Sequence, residues 1–554
     1  MALVGWVAYM KTRGEVSTRE GYFLAGRGLT GTFIAGSLLL TNLSAEQLIG
    51  LNGSAFGFNM TAMAWEVTAG IAIIVMALVF LPRYLGGAFS TLPEFLEDRF
   101  DPDVRRLTVV LFLLGYGLIT IPSILYSGSL AVLRLFDVPA LLGVGFEGGL
   151  LITILVIGVV GGISAVFGGL RAVAVSDTLN GVGLLIIGTL VPLFGLWTLG
   201  NGSLTAGLEI VITEDTHKLN AIGTASDPVP FATLFTGMIL ANLFYWGTNQ
   251  YVIQRTLGAK NLAEGQKGVL LSGFFKLLVP FFMMLPGIIA YHLYDEGLAQ
   301  MDLAYPTLVA DVLPTYLAGF FLAVLLGAVF SSFNSLLNSA ATLFCLDVYQ
   351  PLKKGAVSDE ELIRIAKIAS VVIALFSFGA APLLQYAPEG LWQIIRIFTG
   401  FYNIPVITLV LVGLFTRRVP ALAAKVVVIF HVIAYALLQF VIDTGINFIH
   451  LYAVLFVAEV AIMLTLGRLM PTEEPWRYTP RNVVDMTPWR GAVPTSVCLG
   501  AGIVMTYILF SPWGLVGGLS GQFTLAVGAV VVAAGAGCYL GDRWWRARYA
   551  APPA

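Results

Sequence analysis

The chain has 554 residues, of which 58% are hydrophobic and 11% are charged. Soluble domains carry about 25% charged residues, and the mean hydropathy of +0.87 departs from them in the same direction. This excludes a soluble enzyme, a disulfide scaffold and a disordered protein. A net charge of −2 implies no basic surface for nucleic acid. A multi-span helical membrane protein remains, with the lipid bilayer as its first partner.

A bilayer core needs about 20 apolar residues per helix, and about fourteen stretches meet that length. In chain order they are 33–51, 61–81, 107–133, 150–170, 172–196, 232–253, 269–293, 316–348, 365–384, 391–415, 421–441, 448–466, 492–510 and 523–540. Residues 1–10 are apolar but half a span long, without the basic start or cleavage site of a signal peptide. They read as the end of a helix whose beginning is missing, from an upstream start codon, or as a short re-entrant helix.

Of the 30 Lys and Arg residues, all but Arg134, Lys218, Lys276 and Arg396 fall on one side when loops are counted alternately. The positive-inside rule places that side, with Arg99 and Arg255 in it, in the cytoplasm of a plasma-membrane protein. The C-terminus then faces the cytoplasm, with Trp544 and Trp545 as interface anchors. Lys276 and Arg396 fall within apolar stretches, as do the acids Glu46, Glu66 and Asp177. Embedded charge is costly and faces a cavity or a partner.

Cys345, Cys498 and Cys538 read as small buried thiols, since no C-x-x-C is present. The histidines His217, His292, His431 and His450 are scattered, and no H-E-x-x-H exists to hold zinc.

The first span contains T-N-L-S-A-E-Q at 41–47, with Gly50, Asn52 and Gly53 following. Such a polar run within a span predicts an unwound helix whose freed backbone groups need ligands. A packed small-polar interface between helices is the alternative. The sixth span carries A-N-L-F-Y-W-G-T-N-Q-Y at 241–251. Broken helices at positions one and six point to an inverted five-plus-five repeat. In the eighth span, Ser331, Ser335, Asn338 and Thr342 share one helix face, with Ser332 beside it. Hydroxyls and freed carbonyls make a neutral oxygen site suited to Na⁺, whereas Ca²⁺ would demand carboxylates. Ordinary Ser/Thr helix packing fits the same stripe.

These motifs resemble the sodium/solute symporters, and most closely their sodium/sugar branch. The carrying segments are E-G-Y-F-L-A-G-R at 20–27, N-L-S-A-E-Q-L-I-G at 42–50, A-N-L-F-Y-W-G-T-N-Q-Y-V-I-Q-R-T-L-G-A-K at 241–260, K-L-L-V-P-F at 276–281 and A-V-F-S-S at 328–332. The similarity runs from about residue 20 to about 420.

The resemblance implies an all-α integral membrane protein with a LeuT-type inverted-repeat fold and broken helices. Residues 31–200 would form the first repeat and 229–415 the second. Residues 1–30 would be a truncated helix and cytoplasmic loop, and 416–554 accessory helices. It implies coupled import of Na⁺ and a sugar-like solute by alternating access, with no obligate protein partner evident. By resemblance, Asn42, Gln47, Glu66, Asn242 and Lys276 hold the sugar. Tyr245 stacks over it as an inner gate, with Trp246 beside it. The sodium ligands carry over to the carbonyls of Leu40, Leu43 and Ala328 and the hydroxyls of Ser331 and Ser332. Asp177 matches an acid used at a second sodium site in some members, which Asn334 and Ser335 would join.

One position departs from the sugar branch. Arg396 stands in the tenth span where those proteins place a glutamine, and Trp65 replaces a tyrosine. Arg396 either pairs with Glu46 or Glu66 or clamps a substrate carboxylate or a dense set of hydroxyls, which speaks against galactose and leaves hexuronates and polyols open. Other classes fit less well. A sensor would need an output domain, and an enzyme a nucleophile with its base. A proton-driven carrier would need a carboxylate beside Ser331 and Ser332, and none is expected there, although Glu46 and Asp177 keep that alternative open.

Overall fold

A computed structural model describes residues 18–549 apart from 296, 299, 354–356, 387–390 and 482, with backbone alone at 19, 134, 163–173, 175 and 176. The apolar opening segment 1–10 lies outside the described residues.

The described chain is helical throughout its spans. Among the described residues eleven helices are long and apolar enough to cross a membrane, and one further pair, Gly31–Asn42 and Ala45–Gly57, is bent by 55° at its junction. The expected count of fourteen is not confirmed. The fourth and fifth expected spans share a single helix, Phe146–Leu199. The sixth is divided into Gly237–Gly247 and Gln250–Leu257, each too short to cross alone.

Local chemistry sets the helix ends. Asp101 accepts from Val104 N at 2.8 Å, with Pro102 in the first turn, and Asn261 accepts from Glu264 N at 2.8 Å. Both are N-caps that satisfy otherwise orphaned amides. Gly31–Asn42 lacks a cap of its own. Glu264 Oε2 supplies one from across the fold, accepting from Gly31 N at 2.7 Å. That acid also sits favourably at the positive end of the helix dipole.

Both breaks include a short polar residue that competes with the helix for backbone bonds. The first lies at Leu43 and Ser44, where Ser44 N turns back to Asn42 O at 3.0 Å. The second lies at Thr248 and Asn249, whose amides both donate to Phe244 O at 2.9 Å. The outer ends of the two broken elements are tied by a two-bond bridge. Leu29 N donates to Gly258 O at 3.0 Å, and Lys260 N to Leu29 O at 2.9 Å.

Close helix approach rests on small residues, as packing within lipid requires. A side chain at Gly36 would run into Thr178, and one at Gly247 into the ring of Phe80. The broken first element is thereby pressed between Phe146–Leu199 and Leu262–Met283, with Thr315–Thr342 completing the central bundle. At the periphery, Gly521–Tyr549 packs mainly on Ala492–Leu509 and leaves the apolar part of its surface to lipid.

Arg99 and Arg255, counted above with the loop cations, are 5% and 0% exposed. Arg99 Nε donates to Gly413 O at 2.9 Å and NH2 to Thr416 O at 3.2 Å, satisfying carbonyls at the end of Leu391–Phe415. The thiols also differ from expectation. Cys345 is buried, but Cys498 is exposed and Cys538 half-buried, because both lie on peripheral helices.

Candidate substrate and sodium sites

The two breaks face a common cavity of about 50 Å³. Gln47, Asn242, Tyr245 and Arg396 line it, as do Glu46 and Trp65. Asn42, Glu66, Lys276 and Trp246 do not line it and stand one layer behind. Asn42 Nδ2 donates to the Tyr245 hydroxyl at 3.0 Å, and Tyr251 OH donates to the same oxygen at 2.7 Å. Asn242 Nδ2 donates to Thr68 Oγ1 at 2.9 Å. Trp246 packs against Tyr245 and lies under the Lys276 ammonium, 5.5 Å from its ring centre.

Glu66 organises this layer. Its carboxylate accepts from Gln47 Nε2 at 3.1 Å and is in direct contact with Lys276 Nζ. Side-chain exposures of 3% and 2% make Lys276 and Glu66 a buried ion pair. Such a pair contributes little net stability, yet neither member can be lost without stranding the other. Arg396 NH2 stands 3.8 Å from Glu66 Oε1. Its guanidinium lies 4.0 Å from the Trp392 ring centre and 4.8 Å from that of Trp65, within cation–π range.

Several buried polar atoms here have no partner. They include Asn42 Oδ1, Gln47 Oε1, Glu46 Oε2, Trp65 Nε1, Trp392 Nε1 and Arg396 Nε. Orphaned groups of this kind are rare in native interiors and call for a missing ligand or water.

A second polar cluster joins Gly31–Asn42 to Thr315–Thr342. Ser332 Oγ donates to Leu40 O at 3.2 Å. Ser331 Oγ donates to Asp177 Oδ1, and Ser37 Oγ to Asp177 Oδ2 at 2.6 Å. Arg255 Nε reaches Ser37 Oγ at 3.1 Å. Leu43 sits at the break itself, and Ala328 lies fully buried one turn before the two serines. Thr41 Oγ1 and Ser335 Oγ are buried without partners. Asp177 bonds Ser37 and Ser331 directly, while Asn334 is half-buried on the same helix as Ser335. The donors are oxygens with a single carboxylate, which suits a hard monovalent cation. Among the described residues no group of three His, Cys, Asp or Glu side chains offers a site for a transition metal.

This corrects the expectation that no carboxylate stands beside Ser331 and Ser332. Asp177 is distant in sequence from both serines, and only the packing of Phe146–Leu199 on Thr315–Thr342 brings them together. Arg255 was placed with the loop cations because loop counting ignores depth. A buried network was missed altogether. His431 Nδ1 is 2.6 Å from Glu459 Oε1, His431 Nε2 is 2.9 Å from Gly400 O, and Thr408 Oγ1 donates to Glu459 Oε2 at 2.6 Å. Trp392, Thr399 and Asn403 also line the cavity. Their spacing of four, three and four with Arg396 is the one-face signal that marks them in sequence.

The model of the sodium:solute symporter family matches residues 22–430. The uncharacterised symporter YidK of Escherichia coli strain K12 is 41% identical over 554 residues, covering 99% of this chain and 95% of its own. The sodium/glucose cotransporter of Vibrio parahaemolyticus is 30% identical over 494 residues, covering 85% and 88%. Among solved structures, the substrate-bound outward-open state of a Na⁺-coupled sialic acid symporter superposes with a TM-score of 0.73 at 21% identity, covering 85% of this chain and 96% of that one. The fold is accordingly the LeuT type, in a multi-pass membrane protein. With a family match across most of its length and a relative at 41% identity, the chain belongs to the sodium:solute symporter family.

Proposed function

We propose that this sodium-coupled symporter imports a monosaccharide or related polyol by alternating access. The observation that carries the solute class is the pair of unpartnered acceptors on residues lining the cavity, Gln47 Oε1 and Glu46 Oε2, with Asn42 Oδ1 unpartnered one layer behind them. Sugar hydroxyls are the donors that would satisfy them. Tyr245 supplies an aromatic wall for the apolar face of a sugar ring. Asn242 lines the same cavity, while Asn42, Glu66 and Lys276 hold the lining from behind. Similarity to a protein named a sodium/glucose cotransporter supports a solute of this size.

In this reading Na⁺ is co-substrate. It takes the carbonyls of Leu40, Leu43 and Ala328 and the hydroxyls of Ser331 and Ser332. It replaces the bond from Ser332 to Leu40 O and fixes the backbone just before the break. Asn42 follows two residues later and positions Tyr245, so the ion shapes the cavity. By reciprocity the solute then tightens the ion. At 100 mV one Na⁺ contributes about 2.3 kcal/mol, enough for roughly 50-fold accumulation. Residues 31–200 and 229–415 act as the two repeats, and 416–554 are accessory.

The test is radiolabelled uptake into proteoliposomes with and without an inward Na⁺ gradient, for wild type and Ser332→Ala. Na⁺-driven uptake of a sugar or polyol that the variant loses is the expected outcome. Gradient-independent uptake, or uptake driven equally by H⁺ through Asp177, would overturn the sodium assignment.

A further inference from the structure

The cavity carries a second set of unpartnered atoms, and these are donors. Arg396 Nε, Trp65 Nε1 and Trp392 Nε1 are buried without a hydrogen bond. They are gathered in one place, because both indole rings lie against the same guanidinium, at 4.8 and 4.0 Å. Such donors can be satisfied only by an acceptor.

Arg396 is not consumed by Glu66. That carboxylate already takes Lys276 Nζ and Gln47 Nε2, and Arg396 NH2 stands 3.8 Å off, beyond hydrogen-bond length. The guanidinium is held in place instead. Two rings flank it, and its own carbonyl accepts from Tyr452 OH at 2.5 Å and Thr399 Oγ1 at 3.0 Å. A planar, oriented, donor-only cation is matched to a carboxylate, which takes two parallel bonds from it. A hydroxyl is neutral and offers a single oxygen, so it cannot take the two parallel bonds of the fork. Glu46, the other cavity acid, belongs with the acceptors that read hydroxyls.

We propose that Arg396 binds a carboxylate of the transported solute, so that the cargo is a sugar acid: a hydroxylated monosaccharide bearing one carboxylate. This rests on the sodium-driven polyol reading above and narrows its solute class. Gln47 and Glu46 read the hydroxyls, and Arg396 with Trp65 and Trp392 reads the acid.

The experiment is Na⁺-driven uptake by the full chain in proteoliposomes, with glucuronate and galacturonate set against glucose, galactose and myo-inositol. The variants are Arg396→Gln and Arg396→Lys. The wild type is expected to prefer a hexuronate over its neutral counterpart by at least about tenfold, the scale of a charge-assisted bond. Arg396→Gln should abolish that preference, and Arg396→Lys should keep part of it, having charge without the fork. Na⁺-dependent quenching of tryptophan fluorescence by hexuronate in detergent provides a wild-type readout that needs no variant to fold. Equal or better uptake of the neutral sugars, or an acid-to-neutral ratio unchanged in Arg396→Gln, would overturn the acid assignment and leave the polyol symporter standing. Absence of Na⁺-driven uptake of all five solutes would overturn both.

Discussion

The central cavity and the Asp177 cluster are both polar, both buried and both built on the first broken element, yet they differ in how far their charged groups are paired. Around the cavity, amide, carboxylate, indole and guanidinium atoms are left without partners. In the cluster, both oxygens of Asp177 are occupied by serine hydroxyls, and Ser332 is bonded to Leu40 O. The cavity is therefore incomplete until something with many hydrogen-bonding groups enters. In the cluster only Thr41 Oγ1, Ser335 Oγ and one Arg255 nitrogen lack partners, so an ion taken there, as proposed above, exchanges internal bonds. A large solute can be held tightly by adding contacts, whereas an ion taken by exchange is held reversibly, as a coupling ion needs to be.

The largest effect that would break this contrast lies behind the cavity. Glu66→Gln or Lys276→Met alone should destabilise the protein by about 3–5 kcal/mol, because each strands a buried charge. The double variant should recover most of the lost thermal stability without recovering uptake. Recovery of neither would mean that the pair is not the shared support of the lining. In the cluster, Asp177→Asn should raise the half-saturating Na⁺ concentration by roughly ten- to a hundredfold, the range for bonds to a charged group. Solute affinity at saturating Na⁺ should stay near wild type. An unchanged Na⁺ dependence would separate Asp177 from the ion. The smallest effect is expected for Tyr245→Phe, which removes the hydroxyl bonded to Asn42 and Tyr251. Solute KM should rise by a factor of roughly two to ten, as for a neutral hydrogen bond, with a smaller change in Na⁺ dependence. A larger shift for Na⁺ than for solute would reverse the two assignments.

Much of the fold was legible because lipid imposes it. Apolar length marked the spans, and polar runs at 41–47 and 241–251 marked the breaks. Where a span is itself broken, length fails as a signal. That is why Gly237–Leu257 is not found as one long helix. The cavity residues were legible mainly through resemblance, and Arg396 through its departure from it. What stayed hidden was pairing at long sequence distance. Nothing near Ser331 in the chain announces Asp177. Nothing around Glu459, a lone acid in an apolar run, announces His431. Arg255 misled because a cation next to a helix end looks the same in sequence whether it meets water or Ser37.

The His431 and Glu459 contact bears on how the molecule divides when it moves. It links Ala421–Phe440 to Phe448–Leu469, and through Gly400 O it links both to Leu391–Phe415. Tyr435 OH adds a bond to Ile397 O at 2.7 Å. Separating these helices would leave a carboxylate and an imidazole without partners in hydrocarbon, a cost well above that of sliding apolar faces past one another. In the alternating-access cycle proposed above, the three helices should therefore move as one block, with sliding along its boundary rather than through it.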